Sequence, residues 1–392
     1  MQLHLRQLRG GLRAGSSVHL PLYCGFAVLF SAIPSLALDH VTVEREGRKL
    51  TLTGRVRVEA ADGSLLFETR DGSYWLLSSD QILERSSDAE PFRAFTAEEL
   101  AQQLRQEFGP GFSTRKTGHY LIVYNCGDSY AAWCGWLFER LYGAFQNFWS
   151  RRGLALSEPE YPLVAIVFRN QRDFTRYATA DVGGAASAII GYYHLEKNRM
   201  ILYDLTETSG LAPQSGRRSV AEINRLLNHP QASRAVATIV HEATHQLCFN
   251  CGMFSRMTET PLWLSEGIAM FFETPDLQST AGWAGVGEKN PKRAADFYAY
   301  LPRRARNSLA TLIQSDDRFR DTSTAIDAYA EAWALSYYLL RKYPQKTIKY
   351  IKKMKDLPIG GEYPPDARLR DFQEVFGDLE AVEAEFLRSF SR

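Results

Sequence analysis

The stretch His241-Glu-Ala-Thr-His-Gln-Leu-Cys-Phe-Asn-Cys-Gly252, HEATHQLCFNCG, gathers two histidines, a glutamate and two cysteines into twelve residues. Three chemistries fit such a run: a catalytic zinc helix, a mixed His/Cys structural site, or a redox CxxC beside an unrelated histidine pair. The flanks place it on a helix. Asn228-His229-Pro230 offers a cap and a first-turn proline, apolar residues follow at Val236, Ile239 and Val240, and Gly252 can close the end. His241 and His245 then stand one turn apart on one face. Both imidazoles can reach one ion there, and Glu242 can hold a water against it.

A third ligand decides between the readings. Cys248 lies on the same helical face, but at 1.5 Å rise per residue it sits about 7.5 Å along the axis from the midpoint of the histidines. A short side chain with a Zn–S bond of about 2.3 Å cannot close that gap in an unbroken helix. Glu266 is the better ligand. In TPLWLSEGIAMFFE (260–273), Thr260 can cap and Pro261 can start a second helix, and the loop after Gly252 lets it fold back on the first. Gly267 and Ala269 are small enough for two backbones to approach closely. Two neutral histidines, one carboxylate and a water give zinc an open position, as hydrolysis requires.

These residues carry a resemblance. His241-Glu242-x-x-His245 followed by Trp263-Leu264-x-Glu266-Gly267-x-Ala269 resembles the gluzincin peptidases, the thermolysin-like superfamily whose third zinc ligand is a glutamate on a following helix. It is similar, more narrowly, to an exported bacterial peptidase-MA-like branch of unknown function. The likeness spans roughly residues 112–350, with GYY, NRMILYD and Tyr329-Ala-Glu-Ala-Trp333 as weaker parts. It implies that His241, His245 and Glu266 bind Zn2+, with Glu242 as general base and then proton donor. It also implies a peptide or protein substrate and a further donor for the oxyanion, for which Tyr329 is the candidate and His194 a weaker one. Thermolysin supports a histidine with an aspartate four residues after the glutamate ligand. Here that place is Met270, so the support must differ, and Glu273, seven residues past Glu266, and Glu259 are the candidate substitutes.

Composition sets the frame. The chain has 392 residues and 45% hydrophobic content, enough for more than one core. Net charge is +1; without the first 37 residues, 43 basic face 45 acidic side chains. That balance, without basic runs, gives no reason to expect nucleic acid. The N-terminus reads as a signal peptide: Arg6, Arg9 and Arg13 precede an apolar segment from Leu20 that ends in Ser35-Leu36-Ala37. Cleavage near Ala37 is expected, with an uncleaved anchor as the rival and the only expected tie to a membrane. The protein is therefore expected to be exported. If Cys24 leaves with the signal, Cys126, Cys134, Cys248 and Cys251 remain, an even number that suits disulfides in an oxidising compartment. Three pairings are open. A CxxC at a helix C-terminus lacks the field that lowers a redox thiol's pKa, which favours structural disulfides over thiol chemistry, and local pairing, Cys126 with Cys134 and Cys248 with Cys251, is preferred to crossed pairing.

Patterning predicts an α+β chain. Residues 39–90 alternate like strands, with hairpin signals at Asp62-Gly63 and Asp71-Gly72, and read as a small β module of the kind that can close into a barrel. SSDAEP (86–91) reads as a polar link into a capped helix from Thr96. Residues 96–220 mix strands at 119–125, 162–168 and 188–204 with helices, as the N-terminal part of a catalytic domain whose zinc-helix and C-terminal helical part is 221–392. A rival function from another class is a binding or scaffold protein that keeps this fold without catalysis. Hydrolysis of a non-peptide amide or ester is a third.

Overall fold

The computed structural model describes residues 37–45, 47–207, 218–274, 277, 278, 283 and 285–391. The expected signal segment, with Arg6, Arg9, Arg13 and Cys24, lies outside them. Among the described residues no helix is long and apolar enough to cross a membrane. The molecule is mixed α+β with a β module at its N-terminal end, as the patterning predicts. The chain divides into two compact units. One comprises the chain to Glu107 with Glu160–Pro162 and His194–Asn198, and the other comprises Phe108–Pro159, Leu163–Tyr193 and Arg199–Arg392.

In the first unit, β1 (Ala37–Arg45), β2 (Arg48–Glu59), β3 (Leu65–Thr69), β4 (Tyr74–Leu77) and β5 (Ile82–Pro91) form an antiparallel sheet in the order β4-β3-β2-β1-β5. Alternation buries Val41, Val43, Leu52, Leu65, Phe67 and Leu77 on one face. Gly63 and Gly72 take positive φ at the two hairpin turns, as the Asp-Gly pairs require. Two expectations change here. The sheet is open rather than a barrel, because β4 and β5 end its order at opposite edges. SSDAEP belongs to β5 instead of a linker: Ser86 pairs with His40 and Ser87 with Asp39, and Ser87 Oγ donates to Asp39 Oδ1 at 2.5 Å. An edge strand with exposed side chains satisfies its backbone on one side only, so its sequence stays as polar as a loop. Helix α1 (Ala97–Phe108) starts at the expected capping box, with Glu99 N–H on Thr96 Oγ1 at 3.3 Å and Thr96 N–H on Glu99 Oε2 at 2.8 Å.

The second unit opens with β6 (Ser113–Lys116), β7 (Tyr120–Tyr124), α2 (Asp128–Ser150), β8 (Leu163–Phe168), α3 (Gln171–Val182), β9 (Gly191–His194) and β10 (Arg199–Tyr203). Its sheet runs β6-β7-β8-β10-β9, with β7, β8 and β10 parallel. The continuous apolar runs of β7 and β8 are buried throughout, as central parallel strands should be. Helices follow: α4 (Val220–Leu227), α5 (Pro230–Asn250), α6 (Leu262–Phe271), α7 (Pro291–Tyr300), α8 (Ser308–Gln314), α9 (Asp317–Arg320), α10 (Ala325–Lys342), α11 (Pro344–Lys355), α12 (Pro365–Phe376) and α13 (Leu379–Ser389). Helix α5 packs against α2, α6 and β10, and Gln246 Nε2 donates to the β8 carbonyl of Val164 at 3.0 Å. That bond ties the HEATH helix to the sheet. Gly252 closes α5 with a φ of 73°, and a side chain there would press on Ser157.

Helix α6 begins differently from the sequence expectation. Thr260 does not cap it; its Oγ1 is buried without a partner. The first N–H, that of Leu262, is taken at 2.9 Å by Oδ1 of Asp316, which also receives Arg368 Nη1 at 2.9 Å. The cap is thus tertiary, supplied from just ahead of α9 by a carboxylate whose charge Arg368 balances. Gly267 does permit close backbone approach, but to α10: a Cβ there would lie 2.8 Å from the Ala332 carbonyl oxygen and 1.9 Å from Ser336 Oγ.

Candidate metal centre

Helix α5 presents His241, Glu242 and His245, and α6 presents Glu266. The imidazoles meet the carboxylate edge to edge. His241 Nε2 lies 3.1 Å from Glu266 Oε2, His245 Nε2 lies 3.0 Å from His241 Nε2, and His245 Nε2 lies 3.5 Å from Glu266 Oε2. Among the described residues this is the group of His, Cys, Asp and Glu side chains whose donor atoms converge, all within 4.8 Å, as a metal site requires. Four ligands held tetrahedrally at about 2.0–2.1 Å are separated by about 3.3 Å, so the three spacings fit a small divalent ion such as zinc. His245 and Glu266 are buried, while His241 keeps 10% of its side chain exposed.

The electrostatics favour a cation. Burial opposes charge on His241, yet Glu266 and Glu273 push its pKa up to about 10. Burial likewise works to raise the Glu266 carboxyl, but His245 and His241 hold it well below the ordinary range. Both shifts reflect the same pairing of imidazole with carboxylate at the point where these side chains meet. Glu242 is buried, which pushes its pKa up against the pull of His241 and His245. One of its oxygens, Oε2, accepts the Tyr193 backbone N–H of β9 at 3.0 Å. Glu242 is thus aimed by the outermost strand of the sheet.

Glu273 stands just past α6, where its Oε1 is 2.7 Å from His241 Nδ1. Of the two carboxylates considered as the histidine's support, the structure brings this one to the site. Glu259 is engaged elsewhere, with Arg368 at 3.2 Å and the Tyr363 N–H at 3.0 Å. Glu273 is itself gripped by Arg293, Nε to Oε2 at 2.9 Å and Nη2 to Oε1 at 2.7 Å. His245 has no such support, since its Nδ1 is buried without a partner. Sequence reasoning missed Arg293 and the Tyr193 N–H. An ion pair across a twenty-residue connection leaves no periodic trace, and a backbone donor leaves none at all.

Tyr329, on α10, packs edge-on against Phe319. The charge of Glu266, then burial, then the charge of Glu242 push its phenol above the ordinary range. His194 ends β9, with its Nδ1 3.3 Å from the Lys197 backbone N–H at the following turn. Cys248 takes no part in the converging group. Nor do the expected disulfides form: Cys126, Cys134, Cys248 and Cys251 are free thiols, all but Cys126 buried. Burial pushes the Cys248 thiol up and that of Cys251 to about 12, which is packing chemistry rather than thiolate chemistry.

Residues 235–359 match the model of a family described as "Protein of unknown function (DUF1570)". That span holds the histidines, Glu242, Glu266, Glu273, Arg293 and Tyr329. No curated protein matches the chain.

Proposed function

We propose that the chain is an exported zinc metallopeptidase of gluzincin type, hydrolysing peptide bonds with Glu242 as the general base. The observation that carries this reading is the convergence of His241 Nε2, His245 Nε2 and a Glu266 oxygen at 3.0–3.5 Å beside an oriented, buried glutamate. A purely structural zinc site is closed by four protein ligands and has no use for such a base. Zinc bound here supplies Lewis acidity toward a water and toward the scissile carbonyl.

The chain's own residues do the rest. The Tyr193 N–H occupies one oxygen of Glu242, leaving the other to accept the proton of an attacking water and pass it to the leaving amine. Tyr329, whose phenol feels the charges of Glu266 and Glu242, is the proposed donor to the developing oxyanion. Strand β9, last in its sheet, offers an edge along which an extended peptide can pair. Export rests on the N-terminal sequence pattern.

Glu242→Gln tests the assignment. The variant should bind one zinc per chain, as the wild type does, and lose hydrolysis of a broad peptide library. Retained hydrolysis would sink the role of Glu242, and a zinc-loaded wild type that cleaves no peptide would favour the scaffold or the ester hydrolase.

A further inference from the structure

Arg293 sits where its own helix gives it no advantage. It is the third residue of α7, after Asn290 has capped the start by accepting the Lys292 and Arg293 N–H groups at 3.1 and 3.2 Å. The N-terminal end of a helix carries partial positive charge, so a guanidinium there is mildly disfavoured by the local dipole. Its side chain turns instead to Glu273 and makes the two-pronged contact described above. The Glu273 oxygen that takes Arg293 Nη2 at 2.7 Å also lies 2.7 Å from His241 Nδ1.

We infer that Arg293 is a positioning residue of the metal centre, acting through Glu273 on the tautomer and orientation of His241. The inference rests on the metal-centre reading above. A carboxylate gripped by a guanidinium fork is fixed in plane and offers only acceptor sites. With His241 neutral, as a metal ligand must be, its ring proton therefore lies on Nδ1, and the Nε2 lone pair faces the point shared with His245 and Glu266. Without the fork, the Glu273 side chain is free to turn away, and the imidazole is free to rotate or to exchange tautomers. The asymmetry of the site makes this contact decisive: among the described residues His245 Nδ1 has no partner, so His241 carries the outer anchoring.

The test is a double-mutant cycle on zinc affinity, measured on the full chain by competition with a chromophoric chelator, with circular dichroism as the folding control. Glu273→Gln should weaken zinc binding by about 10–100-fold, and Arg293→Gln by a similar factor. The double variant should bind no more weakly than Glu273→Gln alone, because both changes break one relay. Arg293→Lys keeps the charge but not the fork and should fall between wild type and Arg293→Gln. Zinc binding by Arg293→Gln or Arg293→Lys equal to wild type, or losses that add in the double variant, would overturn the inference and leave the centre standing. A wild type that binds no zinc would overturn both. Should Arg293→Gln fail to fold, the Arg293→Lys comparison decides.

Discussion

At the scale of single residues, the site is an arrangement of charge. Glu266 and Glu273 flank His241, and Arg293 offsets one of them. This leaves the three ligand atoms sharing a point that attracts a cation. His241 and His245 were legible because a helix converts i, i+4 spacing directly into a common face, Glu242 because it follows the first of them, and Glu266 because Pro261 can start a second helix after a loop that lets it fold back. Glu273 was legible only as one of two carboxylates of suitable spacing. Arg293 was not legible, since nothing local obliges an arginine at a helix start to reach back twenty residues. Tyr329→Phe belongs to this scale. If its hydroxyl serves the oxyanion, kcat should fall by about 10²-fold with zinc content unchanged. A variant with wild-type kcat would return Tyr329 to the role of a core aromatic against Phe319.

At the scale of elements, two helices hold the ligands and each is fixed by something distant. Helix α5 is tied to β8 through Gln246, and α6 is capped by Asp316 and pressed on α10 at Gly267. The sequence pointed to Thr260 as the cap, because the local Thr-Pro pattern is the usual signal. The tertiary carboxylate won because it brings a buried arginine with it: Arg368 meets Asp316 at 2.9 and 3.3 Å. Asp316→Ala removes the cap and one of the partners of Arg368, and should cost about 3 kcal/mol in denaturant unfolding. A loss below about 1 kcal/mol would mean that the α6 start is held by packing alone. Gly267→Ala drives a methyl into the Ala332 carbonyl and Ser336, and should destabilise by about 1–3 kcal/mol while lowering zinc affinity through displacement of Glu266. The second half of β5 teaches the converse lesson: an edge strand can continue in the residues of a linker.

At the scale of the whole molecule, the order of patterns, strands first and helices after, gave the α+β class, and the continuous apolar runs located β7 and β8. What the sequence withheld was long-range. The open rather than closed N-terminal sheet depends on which strands become edges, and the buried network around Glu331 depends on four helices and the segments between them. There Glu331 meets Arg304 at 2.7 Å, Arg318 at 2.8 Å and Ser308 Oγ at 2.6 Å, and Arg304 also pairs with Glu383 of α13. On the proposed reading, zinc would add to this framework by binding only the folded chain. At a thousandfold excess over its Kd it should contribute about 4 kcal/mol, so chelation should lower Tm and abolish hydrolysis, and added zinc should restore both.

The most direct measurement is a crystal structure of the zinc-loaded protein with the ion located by anomalous scattering at the zinc edge. The account predicts one ion held by Nε2 of His241, Nε2 of His245 and a carboxylate oxygen of Glu266 at about 2.0–2.2 Å, with the Glu273–Arg293 contact intact behind His241. An ion on the sulfurs of Cys248 and Cys251, or the three donors left empty in saturating zinc, would contradict it.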